Sequence, residues 1–416
     1  MRVAQARAVA RRWVLDEASA APTFAGAFFV GSVTALAPTA TLSATSDVDV
    51  KVVVEAADPP EKIGKFLRDG VLLDVSYVSA GQLRSPDRVL GDCVLAGDVR
   101  WSVLIADPTG ELTATRAAVA TRFARRAWVR RRCRHARDRV LDRLRGLLRD
   151  SAPLADQVLS WVFPTGSVTF VLLAAGLRNL TVRRRYVVAR ELLAEHGRVD
   201  VHETLLGLLG CQHLTARRVE RHLAALAHAF DAASAVAEAP FPFASDISRV
   251  ARPIAIDGSR EMIRQGDHRE AVFWMVATYA KCQKILAHGA APATRDDCEV
   301  GLRELLYDLG IASVADLRQR RRQVEDILPQ VCEVAETIIA GPAPADDARS
   351  GSEMSRFTSH NCSWRALDEG EDAGLIILGR SGVSSELRSI RLADLLRGAV
   401  AETVAFHADV PVLIVG

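Results

Sequence analysis

The sequence predicts three parts: an α/β domain at the N-terminus, an all-α helical domain behind it, and a short βαβ segment at the C-terminus. Three observations carry this. Short runs rich in Val, Leu, Ile and Phe, bounded by turn residues, recur through residues 1–112 and then stop. Over residues 113–340 apolar positions recur instead at steps of three and four, the helical period. The stretch "GPAPADDARSGSEMSRF" is rich in Gly, Pro, Ala and Ser, and opens a linker assigned to 341–372 ahead of two apolar runs within 373–416.

The first element, "MRVAQARAVARRWVLDEASA", is rich in Arg and Ala and lacks an apolar core before a cleavage site. It is expected to be a short amphipathic helix, not a secretory signal. Strands are expected at "FAGAFFVG", "DVDVKVVVE", "GVLLDVSYV" and "RWSVLIAD". Between the second and third, "PPEKIGKFLRDG" has Pro at its start and Gly at its end, which predicts a helix. Helices are then predicted within "AVATRFARRAWVRRRCRHARDRVLDRLRGLLRD", "VRRRYVVARELLAEHG", "TARRVERHLAALAHAFDAA" and "SREMIRQGDHREAVFWMVATYAKCQKILAHG". Breaks are marked by "SAPL", "HGRVD", "EAPFPFASD" and "HGAAPAT". In the tail, "AGLIILGRSG" and "VPVLIVG" are expected as buried parallel strands with "SIRLADLLRGAVAETVAFHA" as the helix between them.

A chain of 416 residues is too long for one ordinary core, so two or three domains are expected. Apolar residues make up 49%, charged residues 25%, and the net charge is +2, so the whole molecule is not a magnet for nucleic acid or membrane. Of 53 basic residues only Lys51, Lys62, Lys65, Lys281 and Lys284 are lysine. Such heavy Arg use reflects a GC-rich genome and favours a bacterial source. The seven cysteines form no CxxC pair and are odd in number, which fits reduced thiols and a cytoplasmic location. Cys211, His213 and His222 fall in a helical stretch with no second ligand pair, so they are not read as a metal site. The apolar run from Phe24 to Val30 is too short to span a bilayer and no other segment is expected to, so no membrane partner is expected.

The chemistry gathers in "FVGSVTALAPTATLSATSDVDVKVVV", residues 29–54. Val48 separates Asp47 from Asp49. On a strand both carboxylates then point to one face, where two oxygen-rich groups suit Mg²⁺ or Mn²⁺. Asp74 lies mid-strand in "VLLDVSY", where an unpaired acid is costly unless a neighbouring strand brings it to the same metal. Gly31 and Ser32 end the first strand, where backbone amides and a hydroxyl can hold phosphate oxygens. A phosphate holder, metal carboxylates and a third acid are the parts that in-line displacement at phosphorus requires.

This pattern, "GS", a spacer, "SDVDV" and a later strand Asp, resembles the nucleotidyltransferase superfamily that shares its fold with DNA polymerase beta. The resemblance covers about the first hundred residues, and the helical domain behind them resembles the arrangement of aminoglycoside nucleotidyltransferases. It implies that Gly31 and Ser32 hold the triphosphate, that Asp47 and Asp49 bind metal, and that Asp74 is a third metal ligand and the catalytic base. It further implies Mg²⁺ or Mn²⁺ as cofactor, an NTP, with ATP favoured, as donor, and an acceptor hydroxyl on a small molecule, protein or RNA.

Three further stretches bear on partners. Arg122–Arg149 carries many Arg and few acids, and a solvated helix face is favoured there over an RNA-binding one because stacking aromatics are scarce. Lys281 and Lys284 follow the apolar stripe of Phe273, Trp274 and Val276; surface solvation is favoured for each over contact with a triphosphate. Residues 373–416 resemble the C-terminal end of universal stress proteins, with Gly379, Gly382 and Gly398 matching that family's glycines and Ala399 in place of its hydroxyl residue. With the family's first strands missing, this segment is expected to pair with another sheet or a second chain. Two competing classes are a non-enzymatic nucleotide-binding or regulatory stress-response module, and an RNA-directed transferase with the Arg-rich face lining its cleft.

Overall fold

The computed structural model describes residues 1–146, 151–237, 241 and 243–341. The expected βαβ tail, with Gly379, Gly382 and Gly398, and the expected linker beyond Gly341 lie outside them. The described residues form an N-terminal mixed sheet followed by a mostly helical region, in the order expected.

The sheet has five strands, β1 (Phe24–Val30), β2 (Val48–Val54), β3 (Gly64–Arg68), β4 (Val71–Ser79) and β5 (Val103–Ala106), in the spatial order β3-β4-β2-β1-β5. Only β2 and β4 run parallel; the other pairs are antiparallel. One face is covered by α1 (Val3–Asp16), which buries Val3, Ala6, Val9, Ala10, Trp13 and Val14 at helical spacing. These meet Val48, Val50, Val52 and Val54 of β2 with Leu73 and Val75 of β4. Alternation then turns Asp47, Asp49 and Lys51 to the opposite face.

That opposite face is covered by α2 (Ala80–Leu83), α3 (Pro86–Gly91), α4 (Leu95–Arg100) and α5 (Glu111–Ala120). Leu112 and Val119 of α5 join Phe28, Val30 and Val53 in one cluster, so the sheet's core continues past residue 112.

The stretch 59–70 is not the expected helix. It contains β3, and Asp69 and Gly70 form a two-residue turn into β4, with φ of 46° and 74°. Two consecutive positive φ values match the twist of an antiparallel hairpin, and Asp-Gly is a residue pair that adopts them readily. The cross-strand ladder to β4 supplies the backbone hydrogen bonds that a helix would have made internally.

The helical region comprises α6 (Arg126–Arg145), α7 (Leu154–Ala175), α8 (Arg185–Glu195), α9 (Val199–Leu209), α10 (Ala216–Val236), α11 (Gly258–Arg264), α12 (His268–Gly289), α13 (Pro292–Asp308) and α14 (Val314–Ala340). α7 corrects the expectation that no segment is long and apolar enough to cross a bilayer: it has 22 residues and a window of mean hydropathy 1.8. That window is 94% buried, because α6, α12 and α14 pack along it. A helix apolar on all sides suits the centre of a helical domain as well as it suits a membrane.

Candidate functional site

The strand register builds the site. Val30 of β1 pairs with Asp49 of β2, Asp49 pairs with Asp74 of β4, and Asp74 pairs with Lys65 of β3. Cross-strand partners share a face, so Asp49, Asp74 and Lys65 form one row, with Asp47 one pleat before Asp49. Asp47, Asp49 and Asp74 are 0%, 1% and 2% exposed. Each offers a carboxylate oxygen within 4.8 Å of the others. The three acids singled out in the sequence are therefore brought together.

Gly31 closes the row at β1. Its φ is 70°, and a Cβ there would lie 2.2 Å from Asp49 Oδ2, so any side chain would fill the space that Asp49 occupies. Ser32 opens a short 3₁₀ turn, Ser32–Thr34, and its buried Oγ has no hydrogen-bond partner. The Ser46 Oγ, one residue before Asp47, is likewise buried and unpartnered.

A residue not singled out in the sequence stands among these acids. Lys65 Nζ lies 3.1 Å from Asp47 Oδ2, contacts Asp74 Oδ2, and is 3.4 Å from Asp246 Oδ1. Asp246 belongs to the 3₁₀ turn Ala244–Ile247 of the helical region, and also pairs with Lys62 at 3.2 Å and Lys281 at 3.1 Å. The Lys281 ammonium lies 5.5 Å and 5.6 Å from the ring centres of Phe243 and Trp274. Lys62 and Lys65 thus tie one helical-region carboxylate to the sheet side, and Lys281 of α12 pairs with it from within the helical region. Nearby, Thr45 donates to Glu261 across the same junction at 3.0 Å. Buried Arg183 donates to the Ile254 carbonyl at 2.6 Å.

Burial sets the electrostatics. It pushes the Asp49 carboxyl well above the ordinary value, and Asp47 and Asp74 add to that, with Lys65 opposing. Burial opposes ionisation of Asp246 too, but Lys62, Lys281 and Lys65 outweigh it and hold its carboxyl well below the ordinary value. Lys65 is held protonated above its usual range by Asp74, Asp47 and Asp246, against the effect of burial. Arg183 is lowered to about 10 by burial, with Glu261 and Asp47 opposing.

Neither oxygen of Asp49 accepts a hydrogen bond, and neither does Asp47 Oδ1. Buried carboxylate oxygens without donors are costly, and an all-oxygen set of this kind suits a hard divalent cation. The residues present therefore fit Mg²⁺ or Mn²⁺.

Two other groups have ligand-like spacing among the described residues. In Asp92, Cys93 and His135, the His135 Nδ1 accepts from the Cys93 backbone N–H at 3.0 Å. The neutral ring then carries its proton on Nε2, which faces Asp92 Oδ2 at 3.9 Å and offers no lone pair to a metal. Asp92 Oδ1 accepts from the Val94 and Leu95 amides at 2.7 Å and 2.8 Å, so this group caps α4. In the other group, His228 and Asp297 form an exposed pair at 3.0 Å beside buried Cys298.

The lysines correct a further expectation. Lys281 and Lys284 are not surface solvation: Lys281 pairs with Asp246 and Lys284 with Asp156, and both side chains are under a tenth exposed. Lys51 pairs with Asp98 at 3.2 Å. All five lysines are in ion pairs. The Arg-rich stretch is also more engaged than a solvated face. Arg132 is buried and donates to the Leu90 and Phe123 carbonyls, Arg130 pairs with Glu336, and Arg143 donates to Ser167.

No family model matches the chain, and no curated protein matches it. The roles of the site residues therefore rest on the geometry above.

Lys65 was legible from a signal the helix reading passed over. A two-residue Asp69–Gly70 turn fixes the hairpin register and places Lys65 opposite Asp74. Asp246 had no such signal, because it lies far along the chain and meets the lysines only through tertiary packing.

Proposed function

We propose that the protein is a metal-dependent nucleotidyltransferase, moving a nucleoside monophosphate from an NTP, with ATP favoured, to an acceptor hydroxyl. The observation that carries this reading is Asp49: a buried carboxylate with no hydrogen-bond donor, between two further carboxylates, beside a glycine that leaves it room. In this reading Asp47 and Asp49 would hold Mg²⁺ or Mn²⁺, which supplies neutralisation of the charge that builds on the phosphate oxygens. The Gly31–Ser32 turn would hold the triphosphate, with the Ser32 hydroxyl as a donor. Asp74 would take the proton of the acceptor hydroxyl as that oxygen bonds to the α-phosphorus. The bond from the α-phosphorus to the bridging oxygen breaks, and pyrophosphate leaves. A small molecule, a protein side chain or an RNA end each supplies such a hydroxyl. A cytoplasmic location agrees with the reduced cysteines among the described residues.

A second reading is a nucleotide-binding regulatory module without chemistry. Lys65 favours it, because an ammonium already satisfies Asp74 and one oxygen of Asp47. Incubation with each α-labelled NTP, Mg²⁺ and a panel of acceptors separates the two. Transfer of label, lost in Asp49→Asn, is expected. Stabilisation by an NTP with no transfer to any acceptor would establish the binding module instead, and no response to any NTP would remove both readings.

A further inference from the structure

We propose that this site takes a single divalent ion, on Asp47 and Asp49, and that the Lys65 ammonium stands where a second ion would sit. The inference rests on the metal reading above and refines it. Two-ion displacement sites hold their cations roughly 3.5–4 Å apart among shared carboxylates. Here the space between Asp47 and Asp74 is taken: Lys65 Nζ is 3.1 Å from Asp47 Oδ2 and in contact with Asp74 Oδ2. A divalent ion bound to the same two oxygens would sit against a fixed positive charge at close range.

Lys65 is not free to leave. Its backbone is paired directly opposite Asp74, its side chain is 6% exposed, and Asp246 Oδ1 lies 3.4 Å from the ammonium. The spare ligand capacity lies with Asp49 and Asp47 Oδ1: both Asp49 oxygens and Asp47 Oδ1 accept nothing, and the bare Gly31 leaves the Asp49 carboxylate the space it occupies. Charge agrees with this count. Before a nucleotide binds, one ammonium and one divalent ion balance three carboxylates, whereas an ammonium and two ions would exceed them. Asp246 has Lys62 and Lys281 for itself.

The test is Mn²⁺ binding to the full chain, followed by electron paramagnetic resonance, with and without a non-hydrolysable nucleoside triphosphate. The wild type is expected to saturate at one protein-bound Mn²⁺ with an isolated-ion spectrum. Lys65→Gln is expected to admit a second ion and give a spin-coupled spectrum. Should Lys65→Gln fail to fold, two other variants decide. Asp74→Asn is expected to shift half-saturation by less than about tenfold, while Asp49→Asn weakens it by more than about a hundredfold. Two coupled ions in the wild type, a folded Lys65→Gln that still takes one, or equal losses in Asp74→Asn and Asp49→Asn would overturn the proposal. A wild type that binds no Mn²⁺ under either condition would remove the metal reading itself.

Discussion

Asp49 lies between Asp47 and Asp74, almost fully buried, and neither of its oxygens accepts a hydrogen bond. Its carboxyl titrates well above the ordinary value because burial, Asp47 and Asp74 all disfavour the anion. The folded state then binds a proton that the unfolded state releases near pH 4, so without a divalent ion this group costs stability as pH rises from about 4 towards its raised value. Asp49→Asn should therefore melt higher than the wild type at neutral pH without metal, and should lose the stabilisation by Mg²⁺ that the wild type gains. Its transfer rate should fall at least about a hundredfold, roughly 3 kcal/mol of transition-state stabilisation. Melting curves against pH and Mg²⁺ check this, and identical curves for both proteins would exclude Asp49 as a ligand. Glu270 has the opposite sign. Burial opposes its ionisation, but the His202 hydrogen bond and the Arg190 charge prevail and bring its carboxyl down to about 2. Its contribution is present above the ordinary glutamate range and is lost as pH falls towards about 2. Glu270→Gln should flatten the acid limb of the stability profile, and an unchanged limb would exclude the role.

Among the elements, α7 and the β3–β4 hairpin make separate demands on glycine. Gly166 sits in α7 where a Cβ would meet the Phe273 ring of α12 at 2.2 Å. Phe273 in turn lies under the Arg185 guanidinium, 4.2 Å from its ring centre, and beside Tyr186, so the ring has little freedom to retreat. Gly166→Ala should cost about 1–3 kcal/mol through overpacking, read from denaturant unfolding; an unchanged midpoint would mean that α7 and α12 can separate at no cost. Gly70 is the contrasting case. Its φ is 74°, but a methyl group placed there would have no neighbour within 4 Å, so only backbone strain resists substitution. Gly70→Ala should cost about 1–2 kcal/mol and keep the register that sets Lys65 opposite Asp74. A loss of Mn²⁺ binding in this variant would show that the register had slipped.

Across the whole molecule, the sheet and the helical region are joined beside the three acids. Lys62 and Lys65 of the sheet side and Lys281 of α12 converge on Asp246, and Thr45 reaches Glu261. Asp246→Ala would leave three ammonium groups without their shared carboxylate. The expected loss is about 3–5 kcal/mol, the range for breaking a buried ion pair by removing one partner. Thermal unfolding measures it, and a loss below about 1 kcal/mol would mean that water already solvates these lysines. The three acids beside this junction are almost fully buried, so the proposed nucleotide would reach them only through an opening of the surrounding structure. NTP with Mg²⁺ should accordingly change amide exchange at residues 244–247, and unchanged exchange there would argue against entry by this route.

Local patterning was enough to order an α/β part before a helical part, because strand-length apolar runs dominate early and helical spacing later, but not to place the boundary, since α5 beyond residue 112 still packs on the sheet. It was also enough to put three acids in one row, because strand alternation sets Asp47 and Asp49 on one face and a neighbouring strand carries Asp74. The hairpin at 59–70 stayed concealed, since Pro and Gly punctuate helices and strands alike and only pairing with β4 separates them. Lys65 reaches Asp74 through that local hairpin, but the lysines that meet Asp246 come to it through long-range packing. Lys281 and Asp246 are 35 residues apart and Lys65 and Asp246 are 181 apart, and no local period records such meetings. An acid's neighbours along the chain set which face it points to; strand pairing gives Asp74 its lysine, and Asp246 meets its lysines only where the fold packs distant elements together.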